Sequence, residues 1–227
     1  MYWREQDDKK DGYQVPDDVF DLVFKLRGSS LDIDHAYALS QALRQHLDRD
    51  TCARIGVHGV QLAVSGNGWN RPEQIDAELP LSRRTRLVIR VHRDDSDAVA
   101  RITDKTLQIG RQAVEVGASS IRKLSSLGTI HARAVRCDPE QPEDDFLRQV
   151  ASDLAAMDID VSRMMCGKSG SIRAGDKVIF TRAVMVADLK PEESVRVQQR
   201  GIGDSRMLGC GLFVPHKGIE AVYEKQE

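Results

Sequence analysis

From Arg196 to Lys217 the chain reads RVQQRGIGDSRMLGCGLFVPHK, and four of these residues, Gly201, Gly203, Gly209 and Gly211, are glycines. Glycine permits close backbone approach, and N–H groups without side-chain cover can line a concave anion site. Arg206 lies inside the string and Arg196, Arg200 and Lys217 flank it, so these residue types suit phosphate contact. A glycine C-cap followed by a bulged strand would use the same residues. A second group of cations, Arg83, Arg84, Arg86 and Arg90, surrounds the segment RTRLVIRV and supplies further phosphate-contact candidates.

Proton transfer near neutral pH points to histidine, whose ordinary pKa is about 6.5. Of six histidines, His35 is the first choice, because it opens a helix beside a turn, where a ring can face a groove. It can also pair with Asp32 or Asp34 as a structural helix-start residue. His58, in IGVHGV, is the second candidate, with a half-buried strand histidine as its structural alternative. Tyr37 follows His35 by two positions and could bond a phosphate, although a helix tyrosine usually packs. His46, His92 and His131 fall in exposed contexts, and His216 follows the glycine string. No histidine pair has the i, i+4 spacing of a metal helix, and the acids form no two-carboxylate set. Cys52, Cys137, Cys166 and Cys210 lie far apart without a CxxC pair, so neither a zinc site, a disulfide framework nor any cofactor is expected.

The formal net charge of −2 hides an uneven distribution. Residues 1–21 are net −4, residues 81–136 are net +7 and residues 163–217 are net +5. Two basic regions thus sit in a nearly neutral protein, as an anionic partner would require, although solvated faces of strands and helices would show the same charge. Aromatic residues make up only 5% of the chain, so recognition should rest on backbone and shape more than on stacked bases. No apolar run approaches the roughly 20 residues of a membrane span, and the N-terminus lacks a secretory signal. A soluble, cytoplasmic protein is expected.

These residues need elements to position them. VFDLVFKLR alternates as a strand, and DHAYALSQALRQHL has helical spacing with Asp32 or Asp34 as its N-cap. A strand is expected over 56–65, an exposed loop that could contact a ligand over 66–80, a strand over 84–91, a short helix from DDSDAVARI and a hairpin over 105–116 turning at Gly110-Arg111. The second half repeats the order with strand 129–136, helix 143–156, strands 160–166 and 177–187, helix 191–200 and strand 207–214. The fold class predicted is α+β, two tandem ferredoxin-like βαββαβ domains with antiparallel sheets. The expected boundaries are a flexible acidic tail over 1–17, a first domain over 18–125 and a second over 126–227.

The string RVQQRGIGDSRMLGCGLFVPHK resembles the C-terminal glycine-rich motif of the CRISPR-associated repeat-processing endoribonucleases, in the repeat-associated RNA-binding superfamily of paired ferredoxin-like domains. Residues 31–48, LDIDHAYALSQALRQHLD, and 79–91, LPLSRRTRLVIRV, are similar to the first helix and third strand of its Myxan-type subgroup. The resemblance implies an endoribonuclease that cuts CRISPR repeat RNA in precursor transcripts, with repeat RNA and other effector subunits as partners and no membrane role. Such a cut uses the 2′-hydroxyl as nucleophile and leaves a 2′,3′-cyclic phosphate, without a metal. In the family the catalytic histidine usually lies in or beside the first helix, which favours His35. The implied RNA contacts are Arg84, Arg86, Arg196, Arg200, Gly201, Gly203, Arg206, Gly209, Gly211 and Lys217. Relatives that bind repeat RNA without cutting it make a non-catalytic subunit of a CRISPR ribonucleoprotein the alternative. A small-molecule-binding ferredoxin-like protein ranks last, since it gives the arginine strand and glycine loop no purpose.

Overall fold

The computed structural model of the chain describes residues 13–60 and 77–216. Most of the expected acidic tail, the second half of the expected strand over 56–65, most of the 66–80 loop and Lys217 lie outside the described residues. The first half of the chain forms β1 (Val19–Arg27), β2 (Ser30–Asp32), α1 (Ala36–Arg44), α2 (Arg49–Arg54), β3 (Gly56–His58), β4 (Glu78–Pro80), β5 (Arg86–His92), α3 (Ser96–Ala100), β6 (Thr106–Ile109) and β7 (Gln112–Lys123). The second forms β8 (Ile130–Arg136), α4 (Glu143–Ala155), β9 (Arg163–Ala174), β10 (Lys177–Ala187), α5 (Pro191–Arg200) and β11 (Phe213–Pro215).

All pairings are antiparallel, in the orders β3-β5-β1-β7-β6 and β11-β8-β10-β9, with β2 and β4 as a separate ribbon. In each large sheet the first and third strands of the repeat lie side by side in the middle, which is the ferredoxin-like arrangement. The tandem fold expected from the sequence is the fold observed.

Three local expectations are corrected. His35, not Asp32 or Asp34, occupies the N-cap of α1 and makes no side-chain cap. The helix ends at Arg44, and a second helix follows, because Asp48 accepts from the Thr51 N–H at 2.8 Å and caps α2. The strand expected over 207–214 is a 3-10 turn over Arg206–Leu208 followed by the short β11, because the backbone bends left-handed at Gly209 and Gly211.

Alternation decides what each sheet buries. Phe20, Leu22, Phe24 and Leu26 of β1 point to the face covered by Leu39 and Leu43 of α1 and Val99 of α3. Ile130, Val184 and Val186 do the same against Phe146, Val150 and Leu154 of α4. Each such side chain contributes about 1.5–3 kcal/mol on burial. The opposite face of the first sheet, free of that unit's own helices, carries Asp21 on β1 and its register partners Arg90 and Arg122.

Arg90 joins the two halves. It is only 1% exposed, and its Nε donates to Asp21 Oδ1 at 2.9 Å. Its Nη1 donates to the carbonyls of Gln198 in α5 (2.8 Å) and Phe213 in β11 (2.7 Å). Arg122 Nη2 completes the cluster at 2.9 Å from Asp21 Oδ2. Burial pushes the Asp21 carboxyl up, but His58 and Arg90 outweigh it and hold the group far below the usual carboxylate range.

Replacing Arg90 by Met should therefore cost about 3–5 kcal/mol of unfolding free energy, since a buried carboxylate loses its main partner. The depressed Asp21 adds a pH signature. Its stabilisation is present above the unfolded pKa of about 4 and is lost as pH falls below it, and Asp21→Asn should flatten that acid limb. Urea denaturation of both variants across the acid range measures each effect.

Candidate active site and nucleic-acid interface

The two histidines selected from the sequence meet at one turn, where the chain leaves β3 at His58-Gly59-Val60. They lie on opposite sides of it. His35 is 6% exposed and both its ring nitrogens are engaged with backbone: Nδ1 donates to the Asp32 carbonyl at 2.8 Å, and Nε2 accepts from the Val60 N–H at 3.0 Å. Burial lowers its pKa, against the Asp32 carbonyl. Because Nε2 accepts an N–H it carries no proton, and the neutral ring ties the start of α1 to the turn after β3.

His58 points to the side away from α1, where its Nε2 is buried without a hydrogen-bond partner among the described residues, 3.7 Å from Asp21 Oδ1. Burial lowers its pKa, Asp21 opposes this, and Arg90 adds to the lowering. A neutral imidazole next to a carboxylate can accept a proton and have the resulting charge stabilised.

His58 lines a cavity of about 580 Å³ between the two units. Arg84 and Arg86 reach it from the start of β5, Arg122 and Lys123 from the end of β7, and His131 and Arg133 from β8. Asp21 is the one acid among the described lining residues, and Arg90 already pairs it. The result is a cleft with one sign of charge, which concentrates field lines and attracts phosphate. Among the described residues no group of three or more His, Cys, Asp or Glu is placed to hold a metal ion, and no helix is long and apolar enough to cross a membrane.

The glycine loop stands elsewhere and acts differently from the expected open cradle. Its 3-10 turn packs on β3 and α1, and Met207 enters the core of the first unit. Arg206 turns inward, donating through Nη1 to the Arg200 carbonyl at 2.6 Å, and burial lowers its pKa. Gly211 donates its N–H to the Ala134 carbonyl at 2.7 Å and accepts from the Ile202 N–H at 3.1 Å. A Cβ on Gly211 would sit 1.8 Å from the Ile202 carbonyl oxygen, and one on Gly209 would sit 3.3 Å from the Val57 carbonyl oxygen. Arg196 donates to the Met157 carbonyl at 2.7 Å, while Arg200 and Gly203 are exposed. Of the sequence-selected residues, His58, Arg84, Arg86 and Arg90 meet in the cleft, Arg90 with its guanidinium committed to Asp21 and two backbone carbonyls, whereas His35, Arg196, Arg200, Gly201, Gly203, Arg206, Gly209 and Gly211 do not line it.

The sequence model of the family described as Cas6 Crispr matches residues 20–218. The chain belongs to the Cas6 family. A CRISPR-associated endonuclease Cas6 of Myxococcus xanthus (strain DK1622) is 27% identical over 207 residues, covering 86% of this chain and 80% of that one. The product of a Cas6-related gene from Pyrococcus furiosus superposes with a TM-score of 0.63 at 13% identity, over 86% of this chain and 97% of that chain. A RAMP protein binding different RNA substrates superposes with a TM-score of 0.59 at 13% identity, over 86% of this chain and 98% of that one. At these identities the two structures show a shared fold.

The loop geometry separates two glycines by stability. Gly211→Ala combines a left-handed φ of 68° with a backbone clash and should sharply lower the melting temperature. Gly203→Ala has a φ of 65° but nothing within 4 Å, and should cost only about 1–2 kcal/mol. His35→Ala, which strands the Val60 N–H, should cost about 1–3 kcal/mol. Thermal denaturation of the three variants ranks them.

Proposed function

We propose that this chain is a metal-independent endoribonuclease that cuts CRISPR repeat RNA in precursor transcripts, and that the cut occurs in the basic cleft between its two sheets. The observation that carries the reading is the convergence of Arg84, Arg86, Arg122, Lys123 and Arg133 on a cavity containing His58. Membership of the Cas6 family and the naming of the Myxococcus relative as a CRISPR-associated endonuclease support the reaction class.

The arginines and lysine hold the phosphodiester, and His58 takes the proton of the 2′-hydroxyl adjacent to it. The freed O2′ attacks phosphorus in line with the departing O5′. The products are a 2′,3′-cyclic phosphate and a 5′-hydroxyl. Asp21, 3.7 Å away, stabilises the imidazolium that forms on His58. His58 is preferred to His35 because the latter has no ring nitrogen left for a proton transfer. The glycine loop serves the same site by bracing the turn that carries His58, with Gly209 set against Val57 and Gly59. Repeat RNA is the proposed partner, and further subunits of an effector complex are proposed to receive the processed guide.

Incubating repeat RNA with excess protein in EDTA should give cleavage with a 2′,3′-cyclic phosphate or its 3′-phosphate. His58→Ala should slow that reaction by roughly 100-fold to 10,000-fold. Cleavage that stops in EDTA and returns with magnesium contradicts the metal-free route. Loss of cutting in a folded His35→Ala variant with His58→Ala active moves the proton transfer to His35. Binding of repeat without cutting makes the protein a non-catalytic repeat-binding subunit. Arg133→Ala should lower the salt slope of RNA binding by roughly 0.7–0.9, as loss of one phosphate contact does.

A further inference from the structure

Cleavage by O2′ attack moves two protons, and His58 accounts for one. The leaving O5′ needs the other, and an acid for it has to stand on the far side of the phosphate from the base. The opposite wall of the cleft, contributed by β8, carries His131.

Among the described residues, the surroundings of His131 give it no structural task. Its register partners on either side are Met185 of β10 and Val214 of β11, neither of which titrates or donates a side-chain hydrogen bond. Its Nδ1 is buried without a partner among the described residues. The polar groups facing it are Arg133, on its own strand, and His216, whose ring meets it edge-on at 5.4 Å between centroids. The His216 Nδ1 is also buried and unpaired among the described residues. A buried unpaired polar group destabilises the fold, so a strand position between two apolar neighbours would ordinarily hold an apolar residue.

Resting on the cleavage reading above, we infer that His131 is a second catalytic residue, the general acid that protonates the leaving O5′ from the wall facing His58, with His216 holding its ring edge-on. The balance closes. The O2′–H proton goes to His58, the O2′–P bond forms, the P–O5′ bond breaks, and the His131 imidazolium delivers its proton to O5′. His58 ends protonated and His131 neutral, and exchange with solvent restores both. Burial, Arg133 and His216 keep His131 below the ordinary histidine pKa in the empty cleft, so its imidazolium is a stronger acid than free imidazolium. The anionic phosphodiester entering the cleft favours that protonated form. Each unit of the tandem fold thus supplies one half of the proton transfer.

The test uses the full chain and two forms of repeat RNA, one natural and one with sulfur replacing O5′ at the scissile phosphate. A thiolate leaves without protonation, so loss of a general acid is masked with sulfur and loss of a general base is not. His131→Gln and His131→Asn should cut the natural repeat roughly 100-fold more slowly and lose the alkaline limb of the pH–rate profile. They should cut the sulfur substrate within a few-fold of the parent rate and bind repeat normally. His58→Ala should remain slow on both substrates. Parent-like cutting of the natural repeat by both His131 variants, or a defect that sulfur does not relieve, overturns the role of His131 and leaves the cleavage reading intact. A parent protein that cuts neither substrate overturns the cleavage reading itself.

Discussion

A guanidinium with 1% exposure is stable only when each of its nitrogens finds an acceptor, and Arg90 meets that condition by drawing on both units at once. Asp21 comes from the same sheet, while the Gln198 and Phe213 carbonyls come from α5 and β11. If the second unit moved away, two donors would lose their partners in a dry site. The relative position of the two sheets is therefore set by hydrogen-bond demand as well as by apolar contact. Their separation sets the cleft, and the neutralisation of Asp21 leaves that cleft with surplus positive charge.

The glycine loop adds a second tie. Helix α5 belongs to the second core through Val197, yet the turn after it places Met207 in the first core. Both ties pass close to His58: Arg90 through the shared Asp21, and the loop through the backbone of Val57 and Gly59. The proposed base, on a short strand end, would otherwise be free to drift, and precise placement is what proton transfer requires. The many left-handed residues of the loop are explained by this packing, because a chain crossing between two cores has to turn sharply without side chains in the way.

Much of the fold was legible in the sequence because period-2 alternation and helical spacing are properties of adjacent residues. The second half of β9 was less so, since Gly167 and Gly170 interrupt its pattern, and its extension to Ala174 depends on pairing with β10. The site was less legible than the fold. Arg84 and Arg86 flank the start of one strand and stood out. Arg122, Lys123, His131 and Arg133 belong to other strands, and only sheet order brings them to the same cleft. The spacing that put His35 beside a turn could not say which side of the sheet its ring would take. The glycine string marked a place where backbones pack closely, but glycines that brace two cores and glycines that cradle phosphate look alike in a sequence.

The central claim is that RNA is cut in the basic cleft between the two sheets. Photo-crosslinking tests it most directly, with a thiouridine placed on each side of the scissile phosphate of bound repeat RNA and the attached peptides identified by mass spectrometry. The account predicts attachment to the segments around Arg122–Ser125 and His131–Arg133, on both walls of the cleft. Attachment confined to the helix-covered surfaces of α1 and α4, with both cleft segments unlabelled, would contradict it.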